Sequence, residues 1–243
     1  GHASSGHSSY LLGQTSRTGW WYYFPILFLG KTPLPALLLI GGALYLLVAK
    51  RPRDSLVLAL SLSAVVIFLV AINSKANLGV RHILPIFPLL FLAVGWAVAT
   101  TPKLKSVAAA LIIWLAIIAA ASFPSFLGYF NELAGGSGNG YRIATDSNLD
   151  WGQDLKRIAH YVQENPGRQH YIAYDWLGRS ALDYYLGSGN YSLLSSRLPR
   201  QSGYAIIGAS AYNEAKYAYL KDCPNRELLT PGVIICNLAL INE

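Results

Sequence analysis

Four apolar runs separated by short polar breaks fill the first half of the chain: residues 34–49, 55–72, 83–99 and 107–123. None contains a charged residue. Each is about 16–18 residues long, near the lower limit of about 17 for a helix that crosses hydrocarbon. Ahead of them stands the aromatic cluster Trp20-Trp21-Tyr22-Tyr23-Phe24-Pro25. Trp and Tyr gather at the membrane–water interface because their rings are amphipathic. Lys31-Thr32-Pro33-Leu34-Pro35 then breaks the apolar pattern, which predicts a re-entrant or interfacial helix restarting after the prolines.

Past residue 127 the pattern shortens. Asp150 and Gln153 have the spacing of a capping box, which predicts a helix from there to Glu164. Strands are predicted at residues 170–175, 203–209 and 232–241, with helices at 180–186 and 211–220. Such alternation argues a small α/β layer structure. The predicted fold is therefore membrane α-helical, with about four spanning helices plus a re-entrant or interfacial helix, followed by a small soluble α/β domain. The boundaries are 1–33 for an external loop and aromatic helix, 34–127 for the transmembrane helices and 128–243 for the α/β domain.

Charge sharpens this picture. The formal net charge is +7. Residues 1–127 hold nine Lys and Arg against one acid, Asp54, whereas residues 128–243 hold ten against eleven. The basic excess lies around apolar runs, so it reads as membrane topology and not as a nucleic-acid footprint. Lys50, Arg51, Arg53, Lys103 and Lys105 flank one side; Arg17, Lys31, Lys75 and Arg81 flank the other. The first set is placed in the cytoplasm, which puts residues 128–243 outside. With no Met and a glycine at residue 1, the chain reads as the C-terminal part of a longer protein.

The candidate chemistry falls in three places. Residues 73–88 put Lys75, Arg81 and His82 between two apolar runs, with Pro85 and Pro88 opening the next helix. Cations at a membrane cost free energy and usually mark a functional site, and a helix mouth suits a lipid phosphate. The plainer reading is that these side chains snorkel to headgroups, and His82 reads equally as a packed helix-start residue. Second, Asn131, Glu132, Asp146, Asn148 and Asp150 lie in a stretch rich in Asn, Asp and Gly. They suit hydrogen bonds to a sugar, or oxygen ligation of a divalent cation; they also suit Asx turns and a helix cap. The spacing is not that of an EF-hand. Third, Cys223 and Cys236 fall in the part placed outside, where disulfides persist, and are expected to bond. The alternative is a buried Cys236 with Cys223 a surface thiol. His2 and His7 make a poor metal pair. There is no Walker-type phosphate loop, paired-cysteine zinc spacing or Gly-x-Ser-x-Gly.

Gly6-His7-Ser8-Ser9-Tyr10-Leu11-Leu12-Gly13, the Trp20–Pro25 cluster and Lys31-Thr32-Pro33 resemble the middle of a bacterial GT-C class glycosyltransferase. The protein O-mannosyltransferases and the aminoarabinose transferase that modifies lipid A are of this kind. Asn77-Leu78-Gly79-Val80-Arg81-His82-Ile83-Leu84-Pro85 resembles that family's Arg-aromatic-x-x-Pro helix start, here with His82. Residues 129–136 and 146–154 are similar to a subset with an extracytoplasmic C-terminal domain. The resemblance covers about residues 6–160. It implies sugar transfer from a polyprenyl-phosphate donor to an extracytoplasmic acceptor, with a catalytic acid in an upstream external loop. It implies Arg81, Lys31, Lys75 and His82 on the carrier phosphate. His7, Tyr22, Tyr23, Asn131, Glu132, Asp146, Asn148 and Asp150 would lie on the acceptor or sugar side. The other class that fits the pattern is a non-enzymatic membrane-anchored domain binding polysaccharide or a protein partner.

Overall fold

The computed structural model describes residues 9–52, 54–174, 178–199 and 201–241. His2, His7, Arg53 and Asp175 lie outside the described residues. The chain divides into two compact units: Ser9 with residues 14–136, and Tyr10–Gly13 with residues 137–241.

Two short strands, β1 (Ser9–Leu11) and β2 (Gln14–Ser16), open the described chain. The first unit is then helical: α1 (Tyr23–Lys31), α2 (Leu34–Lys50), α3 (Ser55–Ile72), α4 (Ile86–Thr100) and α5 (Lys105–Ala121). Two segments are long and apolar enough to cross a membrane. These are Ser55–Ile72, of 18 residues and mean hydropathy 2.8, and Pro102–Ala121, of 20 residues and 2.3. A bend of 115° separates α1 from α2, and the pair is either one broken span or a re-entrant segment leading into α2. Two spans, or three with that pair, thus stand where the apolar pattern predicts about four. The reason is local. Pro33 caps α2 at Leu34, so α2 has 17 residues. A 3-10 turn, Val80–Ile83, runs into the start of the third run, so α4 begins at Ile86 and has only 15 residues.

The packing of this unit is inverted relative to a soluble bundle. Ala43, Ala93 and Ala97 form the buried contact between α2 and α4, and the buried residues of α3 are Ala64 and Ala71. Large side chains face outward: Val48, Leu56, Leu62, Val70, Ile113 and Ile117 are each more than 60% exposed. Small residues let helix backbones approach closely where lipid, not water, surrounds them. A water-facing surface so continuously apolar is not tolerated by soluble monomers. The helices associate with a membrane.

The break between α1 and α2 is held by Asn131. Its Nδ2 donates to the carbonyls of Leu29 (2.6 Å) and Thr32 (2.7 Å), and its Oδ1 accepts the Ala134 N–H at 3.2 Å. Its own N–H donates to the Gly30 carbonyl at 2.8 Å. These are end-of-helix carbonyls that have no partner within the helix. Lys31 repeats the logic, donating from Nζ to the carbonyls of Leu127 (2.8 Å) and Tyr129 (3.2 Å), over the ring of Phe130.

The second unit is a five-stranded mixed sheet with helices. It contains α6 (Gly140–Ile143), α7 (Leu155–Glu164), β3 (His170–Ala173), α8 (Arg179–Leu186), β4 (Ser192–Leu193), β5 (Tyr204–Gly208), α9 (Ala209–Tyr212), β6 (Glu227–Thr230) and β7 (Val233–Asn237). The strand order is β4-β3-β5-β7-β6; β3 runs parallel to β4 and β5, and β7 is antiparallel to β5 and β6. Ile206, Val233 and Ile235 of the central strands are buried. Leu155, Ile158, Ala159 and Val162 put one stripe of α7 in the core, the spacing of an amphipathic helix.

Three predicted elements need correction. The helix expected from Asp150 begins at Leu155. Asp150 Oδ1 instead accepts the Gly152 N–H, and Gln153 Oε1 accepts that of Trp151, so the box closes a turn. The helix expected at 211–220 is α9 followed by a 3-10 segment, Ala215–Asp222. The single last strand is the β6–β7 hairpin, whose second strand ends at Asn237. Cys223 and Cys236 are bonded, with their Cα atoms 6.2 Å apart.

Candidate functional site

In the first unit, Gly79 sits at φ 134°, a conformation that favours glycine. It launches the 3-10 turn that carries Arg81 and His82. Ile83 anchors the turn in the core, while Arg81 and His82 are exposed on its surface. Asn77 is 2% exposed and accepts the Trp20 N–H at its Oδ1, 2.6 Å away. Gly19 lies against the same side chain, with no room for a Cβ. Asn77 therefore ties the start of the aromatic cluster to the basic loop. Phe24 meets His82 edge to face, with ring centroids 6.3 Å apart.

The helices of this unit enclose an apolar cavity of about 240 Å³, walled by Phe28 of α1, Ile40 of α2, Phe68 of α3, and Ile86 and Leu90 of α4. Ile86 is three residues past the end of the basic turn. Arg81, His82 and Lys75 are not part of the cavity wall.

The cations expected together separate. Arg81 and His82 are neighbours, and Lys75 is exposed six residues before Arg81. Lys31 sits at the far end of α1 from Phe24, about 10 Å along the axis at 1.5 Å per residue. Its ammonium is turned to backbone carbonyls. Of the aromatics, Tyr22 is half-buried and packs edge-on to Trp21, whereas Tyr23 is 1% exposed and belongs to the core. Asn131 is fully buried, with its amide committed to the α1–α2 break. Glu132 is exposed on the 3-10 turn that follows.

In the second unit, the chain runs from β3 to β4 on one side and then returns to β5 on the other side of β3. In α/β sheets ligands bind outside the carboxyl ends of strands at such a reversal. Tyr174 follows β3 there, and Ser210 follows β5. The Asp146 N–H donates to Ser210 Oγ at 2.9 Å, with Asp146 at φ 59°. Tyr174 donates its hydroxyl to Asp150 Oδ1 at 2.5 Å and accepts the Asp154 N–H at 3.3 Å. Asp154 bonds Arg157 at 2.6 Å and accepts Thr230 Oγ1 at 2.8 Å. Asn148 is fully buried and donates to the Thr145 carbonyl.

Asp150 is 1% exposed, and its Oδ2 has no hydrogen-bond partner. Burial pushes its pKa up to about 6, against the lowering by hydrogen bonds from Tyr174 and Gly152. The reversal point is thus filled by a hydrogen-bonded network. Among the described residues no group of three or more His, Cys, Asp or Glu side chains is arranged to hold a metal ion. Tyr174 and Thr230 were not among the residues that the sequence singled out. Asn77 and Asp154 entered only as members of the runs 77–85 and 146–154, with no role assigned.

Comparison with known protein families, with curated proteins and with solved structures gives no match.

Proposed function

We propose that this chain is the C-terminal part of an integral-membrane glycosyltransferase of the GT-C kind. It moves a sugar from a polyprenyl-phosphate donor to an acceptor outside the cytoplasm. The observation that carries this reading is the exposed basic Arg81–His82 turn leading into α4, whose first residue, Ile86, lines the apolar cavity of α1–α4. The cleft takes prenyl carbons and Arg81 pairs with the phosphate, since its planar fork matches phosphate bidentately. Stabilising the leaving phosphate is what such a transfer asks of a cation. Lys75 adds charge on the same loop. The acceptor's proton goes to a carboxylate outside this chain, as the resemblance implies.

In this reading α2, α3, α4 and α5 each span the membrane, with α1 re-entrant and the second unit extracytoplasmic. One contact supports the sidedness. Lys50 Nζ at the end of α2 donates to the Thr100 carbonyl (2.9 Å) and Thr101 Oγ1 (2.7 Å) at the end of α4. The basic connections at 50–54 and 101–105 therefore share one side, which their Lys and Arg content assigns to the cytoplasm in this reading.

Photolabelling with a polyprenyl phosphate that carries a diazirine in its first prenyl unit tests the reading. Labelled peptides are expected from α1 and α4. Arg81→Ala is expected to weaken labelling by roughly tenfold to a hundredfold, the effect of losing a charge-assisted bond of about 1.5–3 kcal/mol. Undiminished labelling in Arg81→Ala would remove the phosphate assignment.

A further inference from the structure

The sheet of the second unit carries a separate cleft at the end opposite the Asp150 network. It lies where β3, β4 and β5 begin, between the loops 165–169 and 187–191, and measures about 500 Å³. That is within the range of about 300–1,000 Å³ usual for ligand clefts. Its wall is polar, with Gln163, Asn165, Gln169, Asn190 and Ser192 facing it and Arg168 as the one charged side chain. Arg168 lays its guanidinium on the ring of Tyr204, 4.8 Å from the centroid.

Among the lining residues is His170, the first residue of β3 and 2% exposed. Its ring is bonded to the backbone of Asn190, and Nε2 has no partner. With Nδ1 donating, Nε2 is an acceptor lone pair held away from bulk water. A buried polar atom left unpaired costs about 1–3 kcal/mol, and the group that relieves it must donate an O–H or N–H.

We propose that this cleft binds a neutral saccharide, one of whose hydroxyls donates to His170 Nε2 while the amide side chains of the wall bond the others. Amides both donate and accept, as sugar hydroxyls do, and the one cation is occupied by an aromatic face. The inference rests on the second unit alone and stands whether or not the chain takes part in glycosyl transfer.

The test uses the whole chain in nanodiscs, with hydrogen exchange read by mass spectrometry. The probes are maltose, cellobiose, chitobiose and mannobiose, with glucuronate and inorganic phosphate as charged comparisons. At least one neutral disaccharide is expected to slow exchange in residues 163–170 and 187–192. Gly189 lines the cleft, and a Cβ added there meets nothing within 4 Å. Gly189→Trp should therefore plug the cleft without disturbing the fold. It is expected to weaken the protection at least tenfold, with exchange elsewhere unchanged. Three results overturn the proposal: no protection by any neutral disaccharide, protection by the charged probes only, or protection that survives Gly189→Trp.

Discussion

Asn131 and Asp150 are both buried, and they differ in how fully their polar atoms are paired. Asn131 has no unspent hydrogen-bonding atom on its amide nitrogen, and removing it strands the carbonyls of Leu29 and Thr32. Each buried group left unpaired costs about 1–3 kcal/mol. Asn131→Ala is expected to loosen the α1–α2 break, seen as faster exchange across residues 28–33 and a lower unfolding temperature in nanodiscs. Asn131→Asp should be worse, since a carboxylate would face two carbonyls. Asp150 is different because one oxygen is unspent. Its folded pKa is about 6, above the ordinary 3.8. The native state therefore binds more protons than the unfolded chain between those values, and Asp150 lowers stability as pH rises from about 4 to about 6. Asp150→Asn is expected to remove that component, so the difference between variant and parent should grow over this window and be flat above it. A pH-independent difference would contradict the assignment. Neither role was legible in the sequence. The partners of Asn131 lie about 100 residues away, and no local pattern encodes that distance.

At the scale of elements, periodicity was the reliable guide. The four apolar runs correspond to α2–α5, and the stripe 155, 158, 159 and 162 marks the buried face of α7. The starts of elements were less legible. Asp150 and Gln153 have capping-box spacing, yet both bond turn N–H groups, because Gly152 at φ 86° bends the chain before the helix begins. β6 was missed because its four residues, Glu227–Thr230, show little alternation and derive their pairing from β7. The disulfide closes the 13-residue separation between Cys223 and β7. In the chain-entropy model a loop of this size contributes about 3 kcal/mol. The double variant Cys223→Ser, Cys236→Ser is expected to lower exchange protection in β7 by roughly a hundredfold. Protection in α3 and α5 should be unchanged.

For the whole molecule, composition and charge indicated a membrane-associated helical half and a mixed α/β half. The number of spans was not legible, because a proline-led run can extend a helix or form a turn, and residues 80–85 form the turn. The proposed sidedness rests on the short basic loops. Single cysteines placed at Lys103 and Gly167 are expected to react with a membrane-impermeant reagent from the cytoplasmic and external sides respectively. Labelling of both from one side would overturn the arrangement. The central claim is transfer from a lipid phosphate, and the most direct measurement is release of sugar from a labelled polyprenyl-phosphate donor by the full-length protein. The account predicts transfer that falls tenfold to a hundredfold in Arg81→Ala, and less in Arg81→Lys, which keeps the charge but loses the fork. Transfer unaffected by either change, or no transfer from any polyprenyl-phosphate sugar, would contradict it.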